Sequence, residues 1–186
     1  MNSLAKLTGV AAAALFAAPM AQAAAPVAVV LTPGYTFEEY SGTATVGVGA
    51  VDTDNALFYI DEQAALGAKS WLIFADPEGR ARVTATLQFD QPILAVYTTR
   101  DGIESTTPIY GSPSVTYGSR LLTGLEGGDQ VAWTAGGTLL TISWFSADPG
   151  DHIRVLTAVP EPAPFMLLAG GLVALGWLKR RRLRAD

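Results

Sequence analysis

Between Ala81 and Phe89 the chain reads ARVTATLQF, an unbroken alternation. Ala81, Val83, Ala85, Leu87 and Phe89 fall on one side of an extended backbone, and Arg82, Thr84, Thr86 and Gln88 on the other. Successive side chains of a strand point to opposite faces, so this segment is a strand with one dry face and one wet face. A half-buried strand needs neighbours, and the flanking sequence offers them. Trp71 to Phe74 is an apolar run, and Asp76-Pro77-Glu78-Gly79 after it is a turn, because proline presets one turn dihedral and glycine accepts the strained one. Asp90-Gln91-Pro92 then breaks the pattern before Ile93 to Thr99, which predicts three consecutive strands in a meander.

A second hairpin is predicted over QVAWTAGGTLLTISWF. Gly136-Gly137 suits a two-residue primed turn that requires positive φ at both positions. Closing it pairs Ala135 with Thr138, Trp133 with Leu140 and Val131 with Ile142, and this register gathers the apolar side chains with Trp144 on one face. Asp148-Pro149-Gly150-Asp151 turns the chain into a further alternating strand, HIRVLT, while Thr43 to Val51 and Ala56 to Ile60 supply two more. Only DEQAALGA has any helical character. Some eight short strands with turns between them predict an all-β fold, an antiparallel β-sandwich of jelly-roll or immunoglobulin-like kind.

The two ends of the chain differ from this middle. Residues 1–23 carry Lys6, an apolar stretch too brief to span a bilayer, and Ala21-Gln22-Ala23 before Ala24, the ingredients of a signal peptide cut by signal peptidase; an N-terminal membrane anchor is the other reading. Cysteine is absent, so an exported body must draw its stability from its core. Residues 24–158 are of single-domain size and hold six basic and fifteen acidic side chains, a formal charge of −9 that disfavours nucleic acid and anionic lipid as partners.

At the other end, sixteen uncharged residues from Ala163 to Leu178 would make a helix of roughly 24 Å, short for a bilayer core but able to span with local thinning. Trp177 is placed as an interfacial anchor. Lys179, Arg180, Arg181, Arg182 and Arg184 follow and would hold this end in the cytoplasm, with the acidic body outside. Before the apolar segment stand Pro160, Glu161 and Pro162, which suppress helix and sheet alike and read as an extended protease-accessible segment or as a stiff linker.

Pro-Glu-Pro, one short apolar helix containing Gly170, Gly171 and Gly176, and a terminal arginine cluster, in that order over residues 159–186, resemble the PEP-CTERM sorting signal of Gram-negative bacteria. The resemblance implies export through the inner membrane, anchoring there by the C-terminal helix, cleavage near Pro160-Glu161-Pro162 by an exosortase, and delivery to the cell surface or beyond. It also suggests extracellular polysaccharide as a partner.

Chemistry is sparse in the body. His152 is the only histidine and is expected at the surface or capping a turn, so no nucleophilic triad and no ordinary zinc site is predicted, and the chain is expected to be no enzyme. Asp52, Asp54 and Asn55 form a calcium candidate, although aspartate and asparagine are also ordinary turn residues. No other cofactor is expected. Thr98 to Arg120 reads as a long polar loop whose Tyr110 and Tyr117 could stack on sugar rings, which leaves a carbohydrate-binding or carbohydrate-cleaving module as the alternative to a non-enzymatic surface protein.

Overall fold

The computed structural model describes residues 22–121 and 123–160. Ala21 and the preceding part of the expected signal peptide, Glu161 and Pro162, the expected membrane helix over 163–178, and Lys179, Arg180, Arg181, Arg182 and Arg184 lie outside the described residues. Among those that are described, no helix is long and apolar enough to cross a membrane.

The described residues form nine strands and one helix, in order β1 Val27–Leu31, β2 Thr36–Glu39, β3 Ala56–Ala65, β4 Ala68–Ala75, β5 Ala81–Gln88, β6 Ile93–Tyr97, α1 Arg100–Tyr110, β7 Gln130–Trp133, β8 Leu139–Ser146 and β9 Asp151–Ala158. They form two sheets, of order β1-β5-β8-β7 and β2-β3-β4-β9-β6. Alternation places them face to face. Val83, Ala85 and Leu87 of β5 and Leu140, Ile142 and Trp144 of β8 meet Leu57, Trp71, Ile73, Ile153 and Val155 from the other sheet in one buried core. Gln22–Pro160 folds as a single compact unit around it.

The β-rich two-sheet expectation holds, with two corrections to its topology. Strands β2 and β3 run parallel, so the sandwich is not wholly antiparallel. The three strands from Trp71 to Thr99 are no meander either: β4 and β6 belong to the five-stranded sheet and β5 to the four-stranded one. The chain crosses between sheets at each turn because β4 and β5 present their dry faces to each other instead of sharing an edge.

The hairpin β7–β8 keeps the expected register, Val131 opposite Ile142 and Trp133 opposite Leu140. Its turn closes one step earlier than Gly136-Gly137 suggests. The Gly137 N–H donates to the Thr134 carbonyl at 2.9 Å, and only Gly136 takes positive φ, +79°. Gly136 and Gly137 bond instead to the backbone of Ile93, at 3.0 and 2.7 Å, which docks the loop on the start of β6.

The outer face of the five-stranded sheet is also covered. Phe58, Ile60, Leu72 and Phe74 form a second core beneath Ile103 of α1, Tyr40 and Val46. Strands β4 and β9 are therefore buried on both faces. Thr43 to Val51 is no strand but part of this covering layer, tied down by one bridge between Val46 and Tyr117, with Gly47 and Gly49 at φ of +91° and +63°. DEQAALGA, the one segment with helical character, runs instead along the end of β3 into a tight turn at Leu66-Gly67 and out along β4.

Candidate functional site

A cleft lies between the free edges of the two sheets. Strand β1 borders one sheet and β2 the other, and between them opens a cleft of about 570 Å³ lined by Ala28, Leu31, Phe37 and Tyr59, with Glu38 and Glu39 at its rim. The Phe37 and Tyr59 rings sit 5.2 Å apart, tilted by 45°. Burial, and then the charges of Glu39 and Asp61, push the Tyr59 hydroxyl above its ordinary range, so it stays a neutral donor. Apolar rings beside carboxylates can hold a ring-shaped polar ligand by stacking and hydrogen bonds; neither a histidine nor a lysine lines the cleft.

The loop residues expected to bind do not project into solvent. Thr98 to Arg120 contains α1, and Tyr110 at its end is only 6% exposed, packed on Ala68 and Leu156. Tyr117 turns inward, and its hydroxyl accepts from the Ser112 N–H at 2.9 Å. The exposed sugar platform expected of Tyr110 and Tyr117 is therefore corrected to two packed rings. Helix α1 escaped notice because Gly102, Thr106, Thr107 and Pro108 are poor helix formers. Its signals are local: Thr99 caps the first turn by accepting from the Gly102 N–H, and Arg100 pairs with Glu104 one turn on.

Asp52, Asp54 and Asn55 form a turn. Asp52 and Asn55 take positive φ, +46° and +58°, and the segment is held by Asp76, which accepts from the N–H groups of Val51 and Thr53 at 3.1 and 2.8 Å. Among the described residues no three of His, Cys, Asp or Glu come together as metal ligands. Ala23 lies against the core and the Ala24 nitrogen donates to Asp90 Oδ2 at 2.8 Å, where the chain enters the sandwich.

His152 is not at the surface. It is 1% exposed, its ring stacks on Phe74 at 5.4 Å, and Nδ1 lies 3.0 Å from the Gly150 carbonyl. The turn-capping contact is present; the solvent exposure is not. Burial pushes its pKa down to about 4, so the ring is neutral at neutral pH. Its neighbour Asp151 is pushed up to about 7, first by burial and then by the charge of Asp129.

The most heavily bonded polar group was invisible to pattern reading. Arg154 is fully buried on the outer face of β9, between the sheet and α1. Its Nε and Nη2 bond both oxygens of Glu62 at 2.7 and 2.8 Å, while Nη1 donates to the Ile103 carbonyl at 2.6 Å and to Thr106. Ser70 completes the Glu62 carboxylate. This network fastens the helix to the sheet and faces no opening, so it is structural.

No curated protein and no solved structure matches this chain. The family model described as the PEP-CTERM protein-sorting motif matches residues 158–182, beginning at the last residue of β9. That motif implies export, sorting to the cell surface and an exosortase as processing partner. The C-terminal end of the chain thus carries a PEP-CTERM protein-sorting motif.

Proposed function

We propose that this is an exported, non-enzymatic protein of the cell surface or extracellular matrix, cut by an exosortase near Pro160-Glu161-Pro162 after signal peptidase has removed residues 1–23. The observation that carries the reading is the sorting motif over residues 158–182. Its position supports cleavage. Ala158 still pairs with Ala68, and Pro160 follows two residues later, so a cut in Pro-Glu-Pro removes no strand residue and leaves the sandwich whole. A passenger role for the body is supported by the burial of its one histidine, His152, and of Arg154.

A second reading is favoured by the edge cleft. With Tyr110 and Tyr117 packed inward, binding of extracellular polysaccharide moves to Phe37 and Tyr59, flanked by Glu38 and Glu39. One experiment addresses both readings. The chain and a variant with Pro160-Glu161-Pro162 replaced by alanines are expressed in a host with its exosortase, fractionated, and tested for co-sedimentation with that host's polysaccharide. The first reading expects the variant to stay uncut in the membrane fraction with its body folded; equal release of both chains would contradict it. Co-sedimentation lost on Tyr59→Ala would favour the second.

A further inference from the structure

Both ends of the sandwich chain lie at the same end of the molecule. Residue Val27 opens β1 opposite Gln88, the last residue of β5, and Ala24 just before it bonds Asp90. Ala158 closes β9 opposite Ala68, and its N–H donates to the Pro92 carbonyl at 2.9 Å. The loops collected here are the turn at Leu66-Gly67, the link from β5 to β6, and the Thr134–Gly137 turn, which bonds to Ile93. The residues flanking the sandwich in sequence, on both sides, are therefore attached at this end.

The two ends of the sandwich contrast in chemistry. Opposite the chain termini lie the turn before β3, the turn from β4 to β5 and the turn from β8 to β9, carrying the exposed acids Asp52, Asp54, Glu78 and Asp148, the last paired with Arg120, beside the exposed Arg80. The loops at the chain-terminal end hold one acid among the described residues, Asp90, and that carboxylate accepts from the Ala24 nitrogen. Large apolar side chains are exposed here: Leu66 is 84% exposed, and Val27, Leu94 and Leu139 beside the loops are each about half exposed.

Leu66 is anomalous twice over. It takes φ +51° and Gly67 φ +80°, the two positive values of a primed hairpin turn in which asparagine before glycine is the ordinary choice. A leucine there strains the backbone and offers nearly its whole side chain to water.

We propose that this end of the sandwich rests on the surface of a phospholipid bilayer, with Leu66 entering the boundary between headgroups and acyl chains. The inference rests on the reading that residues 163–178 insert in the membrane, and deepens it by assigning the body's orientation. Apolar side chains gain by leaving water at that boundary, and an anionic lipid surface repels the exposed carboxylates of the other end, so the two effects select the same orientation.

The chain contains no cysteine, so a single introduced one reports one place. Full-length Leu66→Cys and Glu78→Cys chains, each carrying an environment-sensitive fluorophore, are reconstituted into vesicles of phosphatidylethanolamine and phosphatidylglycerol that contain a lipid spin-labelled near the headgroup end of its acyl chain. The proposal expects quenching at position 66 several-fold above that at position 78. Equal quenching at both positions, or none at either, in a chain that floats with the vesicles overturns the orientation and leaves the tail reading intact. A chain that fails to float with the vesicles overturns the tail reading and the orientation with it.

Discussion

Asp151 and His152 are adjacent on the buried start of β9, and burial drives their proton affinities in opposite directions. For His152 the folded pKa of about 4 lies below the ordinary value. Its contribution to stability is therefore complete above about pH 6.5 and is lost as the pH falls toward 4, on the order of 3 kcal/mol. For Asp151 the folded pKa of about 7 lies above the ordinary value, so its contribution is complete below about pH 4 and is lost as the pH rises through 7. The neighbours thus offset each other across the same window. Asp151→Asn should gain stability relative to the parent chain as the pH rises from about 4 to 8, read by urea unfolding in detergent at several pH values; a difference independent of pH would contradict the assignment. None of this was legible in the sequence. In HIRVLT, His152 and Arg154 occupy the positions of a solvated face, and only the layer laid over that face turns them into buried groups.

Helix α1 depends on that layer. Its composition is poor in helix formers, and Pro108 stands inside it, so its stability must come from packing and from the Arg154 network. Removing one partner of a buried ion pair strands the other charge. Arg154→Met should therefore cost about 3–5 kcal/mol and release α1 amides to hydrogen exchange before those of β5 and β8, while adding Glu62→Leu should recover part of the loss. Protection of α1 unchanged in Arg154→Met would show that the helix is held by Ile103 and Tyr110 packing alone. The elements that could be read directly, β5 and the β7–β8 hairpin, owe it to one feature: each has one face on the core and one in water, so polarity reports orientation. Strands β4 and β9 are covered on both faces, and the turn at Leu66-Gly67 takes its shape from the pairing of β3 with β4, which overrides the helical preference of the residues before it.

At the scale of the molecule, the sandwich begins and ends at one end, and the sorting motif begins where β9 stops. The motif was legible because its parts lie in order along the chain and need no tertiary partner: Pro-Glu-Pro, an apolar run, then arginines. The candidate cleft was not, because Phe37 and Tyr59 become neighbours only when β2 joins β3 in parallel, and Leu31 and Ala28 reach it from the other sheet. The same layout separates delivery from the body: processing near Pro160 takes away the tail and leaves both cores untouched. The most direct test is the intact mass of the protein in each cell fraction, in a host with and without its exosortase. Loss of the segment after Pro160-Glu161-Pro162 only where the enzyme is present, with the shortened chain outside the inner membrane, is the predicted result. A full-length tail in both hosts would contradict the account and make Pro-Glu-Pro a linker to a permanent anchor.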